Sequence, residues 1–337
     1  MKIICIAALM LIAMIYSTNP VYADGELLTS RDIRIRDPFI YAEARTKTYY
    51  MYAQSGNRLN SDYKGVEVYT SRDLVNWTTP QRVLTLPNEE EIKDVWAPEV
   101  HEYKGSYYLL VTLSFNRLLS ENKPVDEANW PEMYERGTYI YRAESPAGPI
   151  CPLKNTSHTP ADWMALDGTL FVEDDIPYLV FCHEWVQIID GTINLIQLND
   201  DLSGPVGNPE ILFRGSDAPG AKTGPRQRKV TDGCFLYRSP TSRKLFMIWS
   251  TFLPGSGYCV VLTESRSGQI RGPWINHRPI FKEDGGHGML FRSFDGRLIM
   301  ALHRPNQRGM ERLYLYTVVD NGDTLEIGEE IPTISRE

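Results

Sequence analysis

Five times along this chain a short apolar strand opens on an anchor residue, passes a turn, returns as a Tyr- or Leu-rich second strand, and is completed by a third. The first unit runs from Asp37-Pro-Phe-Ile-Tyr41 through Thr48–Ala53 to Val66–Tyr69. The second runs from Asp94–Val100 through Ser106–Thr112 to Thr138–Arg142, and the third from Ala165–Phe171 through Pro177–Trp185 to Thr192–Gln197. Thr231–Tyr237, Lys244–Ser250 and Tyr258–Leu262 form the fourth, and Gly286–Phe291, Arg297–His303 and Leu313–Tyr316 the fifth. The anchors Asp37, Trp96, Asp167, Asp232 and His287 follow one another at intervals of 59, 71, 65 and 55 residues. No helical period separates the strands, so an alternating α/β fold is excluded. Multi-strand units repeated at this length predict an all-β fold, a five-bladed β-propeller forming one domain over residues 24–337.

That architecture gathers residues that are remote in sequence. The first strand of each blade lines the central axis, and antiparallel pairing brings the end of the second strand to the face where the first begins. Asp37, Trp96, Asp167, Asp232 and His287 start first strands, while Glu184 and His303 end second strands. The pattern therefore predicts Asp37, Asp167, Asp232, Glu184, His287 and His303 around one mouth.

The bulk properties narrow the partners. With 35 Lys and Arg against 43 Asp and Glu, the formal net charge of −8 excludes a phosphate-backbone partner, whose binding rests on clustered cations. Lys2, the apolar run Ile3–Tyr16 and the small-residue site Val21-Tyr22-Ala23 read as a cleaved secretory signal over residues 1–23. That run is too short to span a bilayer, which takes about 20 residues, so the expectation is a secreted or periplasmic protein with no membrane attachment after cleavage. Cys151, Cys182, Cys234 and Cys259 remain in the mature chain, in no zinc-binding spacing, and read as buried thiols.

Several carboxylates around a solvent-filled mouth are the equipment of glycoside hydrolysis. One activates water, a protonated one donates to the leaving oxygen, and a third raises the donor's pKa by like-charge repulsion. Groups on opposite walls of a propeller mouth suit the wide spacing of inverting enzymes, about 6.5–9.5 Å.

The chain resembles glycoside hydrolase family 43 in Arg36-Asp37-Pro38, Trp96-Ala97-Pro98-Glu99, the Asp167 strand with its Phe171-x-x-Asp-Asp turn, Thr231-Asp232-Gly233 and Gly286-His287-Gly288. The resemblance covers residues from about 31 to 320. It implies a five-bladed propeller and an inverting glycosidase acting on arabinose-, xylose- or galactose-containing glycans, with an oligo- or polysaccharide as its partner. It implies Asp37 as general base and Asp167 as the carboxylate that orients the acid and tunes its pKa. The sequence departs from the family at the acid, where Asp232-Gly233-Cys234 stands in place of Glu-Gly-Pro. Two readings stay open: Asp232 serves with a shifted backbone, or Glu184 of Cys182-His-Glu-Trp185 supplies the proton. Terminal α-L-arabinofuranose is the expected substrate, with β-D-galactofuranosidase, β-xylosidase or galactosidase activity as the nearest alternatives and a non-catalytic carbohydrate-binding propeller as the rival from another class. Trp96, Glu99, His183, Trp185, His287, His303 and Arg304 are candidate substrate contacts, and Trp130 a further possible stacking surface. No cofactor is required on this reading. His287 resembles an axial histidine that in some members is linked to a structural calcium, and the insertion between Ser114 and Thr138 is expected to shape one wall.

Overall fold

The computed structural model describes residues 27–55, 64–86, 88–221 and 228–332. The signal sequence read at residues 1–23 lies outside them. Five four-stranded antiparallel sheets follow one another in chain order. The first contains β1 (Phe39–Glu43), β2 (Thr48–Gln54), β3 (Gly65–Ser71) and β4 (Gln81–Thr85). The second contains β5 (Ile92–Tyr103), β6 (Ser106–Ser120), β7 (Met133–Ala143) and β8 (Ile150–Pro152). In the third are β9 (Ala165–Glu173), β10 (Ile176–His183), β11 (Thr192–Leu198) and β12 (Pro205–Arg214). The fourth holds β13 (Asp232–Arg238), β14 (Leu245–Leu253), β15 (Gly257–Ser265) and β16 (Trp274–Phe281), and the fifth β17 (Gly286–Arg292), β18 (Leu298–Arg304), β19 (Arg312–Asp320) and β20 (Leu325–Ile331). One α-helical turn, α1 (Trp185–Ile188), follows β10. No helix among the described residues is long and apolar enough to cross a membrane. The core sits between blades: Leu110, Ile140, Leu179 and Phe181 join the second blade to the third, and Ile248, Val260, Leu302 and Tyr316 the fourth to the fifth.

The five-bladed propeller expected from the repeat is therefore present, with a fourth strand in each blade that the three-strand pattern omits. These outer strands carry little apolar signal, because they face solvent: β12 buries only Phe213, and β4 only Leu84. The insertion also differs from a simple loop. β6 continues to Ser120 and β7 begins at Met133, so about half of the added residues lengthen the strands of a hairpin and residues 121–132 connect them.

A shared irregularity marks the start of the axial strands. Asp37, Ala97, Asp167, Gly233 and His287 all adopt left-handed backbone angles, with φ of 53°, 45°, 54°, 50° and 51°. Four of these five are not glycine, so the conformation is imposed by the surroundings against a steric cost of about 1–2 kcal/mol each. The ladder slips at this position between Trp96 and Glu99, between Asp232 and Phe235, and between Gly286 and Met289, as a β-bulge requires. Polar residues on second strands hold the turned amides. Asp167 N–H donates to Thr112 Oγ1 at 2.9 Å, His287 N–H to Ser250 Oγ at 2.8 Å, and Asp37 N–H to His303 Nδ1 at 3.2 Å. Each bond ties one blade to the next, and the last closes the ring from the fifth blade to the first. In the third blade Cys182 occupies the corresponding place, opposite Leu166, and the Gly233 N–H donates instead to Asp167 Oδ2 at 3.1 Å.

Candidate active site

A pocket of about 270 Å3 opens where the axial strands begin, lined by Arg36, Asp37, Trp96, Leu166, Asp167, Glu184 and Asp232. The bulge explains this set. Arg36, Trp96, Leu166 and Asp232 each immediately precede the left-handed residue of their blade. In the fifth blade the same place is held by Gly286, where a Cβ would lie 2.4 Å from Tyr258 Cε1, so the Tyr258 ring takes the missing side chain's space. Asp37 and Asp167 come from the left-handed positions themselves. The sequence anchors Trp96 and Asp232 are thus one residue out of step with Asp37, Asp167 and His287.

Beneath the pocket lies a compact charge cluster. His287 Nδ1 stands 3.1 Å from Asp37 Oδ1 and 3.9 Å from Asp167 Oδ2. Burial disfavours its charge, but Asp37 and Asp167 prevail and push its pKa up to about 10. Burial would also raise Asp37, yet His287 and Arg36 hold its carboxylate well below the usual range. Asp167 behaves oppositely: burial and the neighbouring charge of Asp232 push it well above the usual range, against the pull of His287. Arg36 spans the edge, 3.8 Å from Asp37 Oδ1 and 3.4 Å from Glu311 Oε1.

The two carboxylates left open as proton donors both line the pocket. Glu184 follows the last residue of β10 and opens α1, its N–H donating to Met164 O at 2.9 Å. Its Oε2 accepts from Arg136 Nη1 at 2.7 Å, and the Arg136 guanidinium lies 4.6 Å from the centre of the Trp96 ring. Burial raises the Glu184 pKa, Arg136 lowers it, Asp232 raises it, and it comes to about 6. Asp232, at the start of β13, accepts from Tyr258 Oη at 2.6 Å through Oδ2. The pocket thus holds one carboxylate fixed in its ionised form and another that exchanges its proton near the working range of a general acid.

Other predicted contacts fall elsewhere. Glu99 is buried against His101, with Oε2 2.8 Å from Nε2, and does not line the pocket. His183 stacks on Trp163 at 4.1 Å and reaches Gln187 Oε1 at 2.8 Å. Arg304 pairs with Glu283 at 2.9 Å. His303 is fully buried below the pocket, where it supports Asp37. Trp130 is buried edge-on against Trp185, and its Nε1–H donates to Val186 O at 2.8 Å, so neither indole is a lining residue. The 114–138 insertion reaches the site through Arg136, the partner of Glu184. Sequence reasoning missed Arg136, Leu166 and Tyr258 as site residues and used Arg36 only as part of a motif. Arg36 and Leu166 could have been found from their place beside Asp37 and Asp167, whereas nothing local marks Arg136 or Tyr258. Cys182, Cys234 and Cys259 are buried as expected, but Cys151 is exposed, because it lies in the short outer strand β8.

Asp167, Asp232 and His287 bring ligand atoms within 4.8 Å of one another. Calcium takes six to eight oxygens at about 2.3–2.6 Å. Two carboxylates and an imidazole nitrogen do not match that donor set, and His287 Nδ1 is turned to Asp37 and Asp167 as their ion-pair partner.

The sequence profile of glycosyl hydrolases family 43 matches residues 32–320. The fold superposes on an endo-arabinase from Bacteroides thetaiotaomicron VPI-5482 with a TM-score of 0.72 and 34% identity, covering 87% of this chain and 96% of that one. An extracellular exo-α-(1→5)-L-arabinofuranosidase from Cellvibrio japonicus is 22% identical over 312 residues, 81% of this chain and 80% of that protein. A β-xylosidase from Bacillus subtilis is 26% identical over 226 residues, 64% of this chain but 36% of that protein. With the profile match spanning nearly all the described residues, and a carboxylate-lined pocket at the axis of five blades, this chain belongs to glycosyl hydrolases family 43 and is a glycoside hydrolase.

Proposed function

We propose that this protein is a secreted, inverting exo-glycosidase that removes terminal α-L-arabinofuranose. The observation that carries the reading is a single small pocket lined by Asp37, Asp167, Glu184 and Asp232. Its volume of about 270 Å3 falls just below the roughly 300–1,000 Å3 of sites for drug-sized ligands, which suits one sugar unit more than a bound polymer. Asp37, held ionised, takes the proton from water. Glu184 gives its proton to the leaving oxygen: Arg136 occupies Oε2, leaving Oε1 for the substrate. Burial and then the charge of Asp232 raise the Glu184 pKa and keep it an acid, and the same two causes push Asp167 upward. The similarity to an arabinofuranosidase and an endo-arabinase favours arabinose, and the extracellular relative supports export.

Hydrolysis of an arabino-oligosaccharide followed by proton NMR should first release the anomer opposite in configuration to the bond cleaved. Asp37→Asn should lower kcat/KM about a hundred- to ten-thousand-fold. Unchanged turnover in this variant would sink the assignment of Asp37, and release of the retained anomer would sink inversion.

A further inference from the structure

Among the described residues Phe252 is the only exposed Phe, Tyr or Trp, at 52% relative exposure. The register of the fourth blade puts it at the end of the blade where the mouth opens. Asp232, the first residue of β13, pairs with Ser250, so Thr251 to Leu253 run on past the innermost strand. Phe252 pairs with Tyr258 across the β14–β15 hairpin, with ring centroids 5.0 Å apart at 45°. The Tyr258 hydroxyl in turn donates to Asp232 Oδ2 at 2.6 Å. Two aromatic rings therefore lead from the pocket carboxylate outward to solvent. Within the fourth blade no other large apolar side chain is exposed, so the ring is not part of a broad protein-docking patch there.

We propose that Phe252 is the platform for the sugar unit on the leaving-group side of the scissile bond, its ring stacked on the C–H face of that sugar. This rests on the hydrolase reading above, with the cleaved sugar in the pocket and the rest of the glycan emerging beside β14. A flat apolar ring two steps from the reacting carboxylates binds a second sugar without polar commitments, and remote contacts of this kind are realised as rate on longer substrates.

The test compares wild type, Phe252→Ala and Phe252→Trp on α-1,5-L-arabinotriose and on methyl α-L-arabinofuranoside, which lacks a second sugar. Phe252→Ala should lose about tenfold in kcat/KM on the triose and less than about twofold on the methyl glycoside, with Phe252→Trp restoring the triose rate. Equal effects on both substrates, or none, overturn the platform. So does a change in sedimentation of Phe252→Ala with an unchanged substrate ratio, which would assign the ring to a contact between chains. If wild type cleaves neither arabinoside, the sugar assignment fails, and the same ratio is read on xylotriose and methyl β-D-xyloside. Inactivity of wild type on both pairs overturns the hydrolase reading and the platform together.

Discussion

On the wall built by the second and third blades Glu184 faces a buried cation, whereas on the wall built by the fourth Asp232 faces a phenol. The side chains of Arg136 and Glu184 are 6% and 15% exposed, so their ion pair is nearly dry. In water such a pair would keep a carboxylate ionised. Here burial outweighs Arg136, the charge of Asp232 adds to it, and Glu184 stands at about 6. A phenol supplies one hydrogen bond and no charge, so the Asp232 side affects its neighbours chiefly through its own carboxylate, which pushes Asp167 upward. An ion-pair partner does not disqualify a proton donor when desolvation is the larger effect. The two walls therefore differ in which carboxylate holds a proton to give.

The largest expected effect comes from removing each acid in turn. Glu184→Gln should lower kcat on substrates with poor leaving groups by about a hundred- to ten-thousand-fold, and on an activated aryl glycoside far less, since a good leaving group departs without a proton. Asp232→Asn should show no such dependence on the leaving group. The opposite pattern in a kinetic series of aryl glycosides would move the donor to the fourth blade.

The blades were legible because inner and middle strands are near-continuous apolar runs set apart by turns, as in Leu245–Leu253 and Leu298–Arg304, and Asp37, Asp167 and Asp232 were legible because they head such strands. The outer strands were not, since strands such as β12 and β20 carry almost no buried residues. What the sequence hid at the site has one main cause. The left-handed residue in each blade shifts the facing of side chains by one position, which concealed Leu166 beside Asp167, whereas Glu99 entered the candidate contacts only as the last residue of the Trp96–Glu99 motif. Arg136 lies 48 positions from Glu184 and Tyr258 lies 26 from Asp232, so no local pattern could pair them.

A smaller effect tests the cation on the Glu184 wall. Arg136 lowers the pKa of Glu184, so Arg136→Met leaves burial and Asp232 unopposed and should raise it further. If Glu184 must be protonated to act, activity falls as pH rises through about 6 in wild type, and the variant's descending limb should move up by about one pH unit, equivalent to about 1.4 kcal/mol. The same change frees the carboxylate to misalign and should cost about tenfold in kcat at the optimum. Arg136→Lys, which keeps the charge, should hold the limb closer to wild type. A pH profile of kcat/KM that is identical in Arg136→Met and wild type would detach this wall from proton donation.

The smallest effect belongs to the phenol. Tyr258→Phe keeps the ring that stacks 5.6 Å from His303 and fills the space beside Gly286, and removes only the 2.6 Å hydrogen bond to Asp232. A hydrogen bond to a charged group is worth about 1.5–3 kcal/mol, so thermal unfolding should register a loss of that order. Turnover should fall only about two- to fivefold, because the group released is not the donor but the charge that keeps the donor protonated. A more mobile Asp232 repels the Glu184 carboxylate less, and the descending limb of the pH profile should therefore shift slightly downward, in the direction opposite to Arg136→Met. Opposite shifts from two substitutions on facing walls are what a single acid titrated between them produces. If instead Tyr258→Phe loses a hundredfold or more on poor leaving groups alone, the phenol is positioning a donor, and that donor is Asp232.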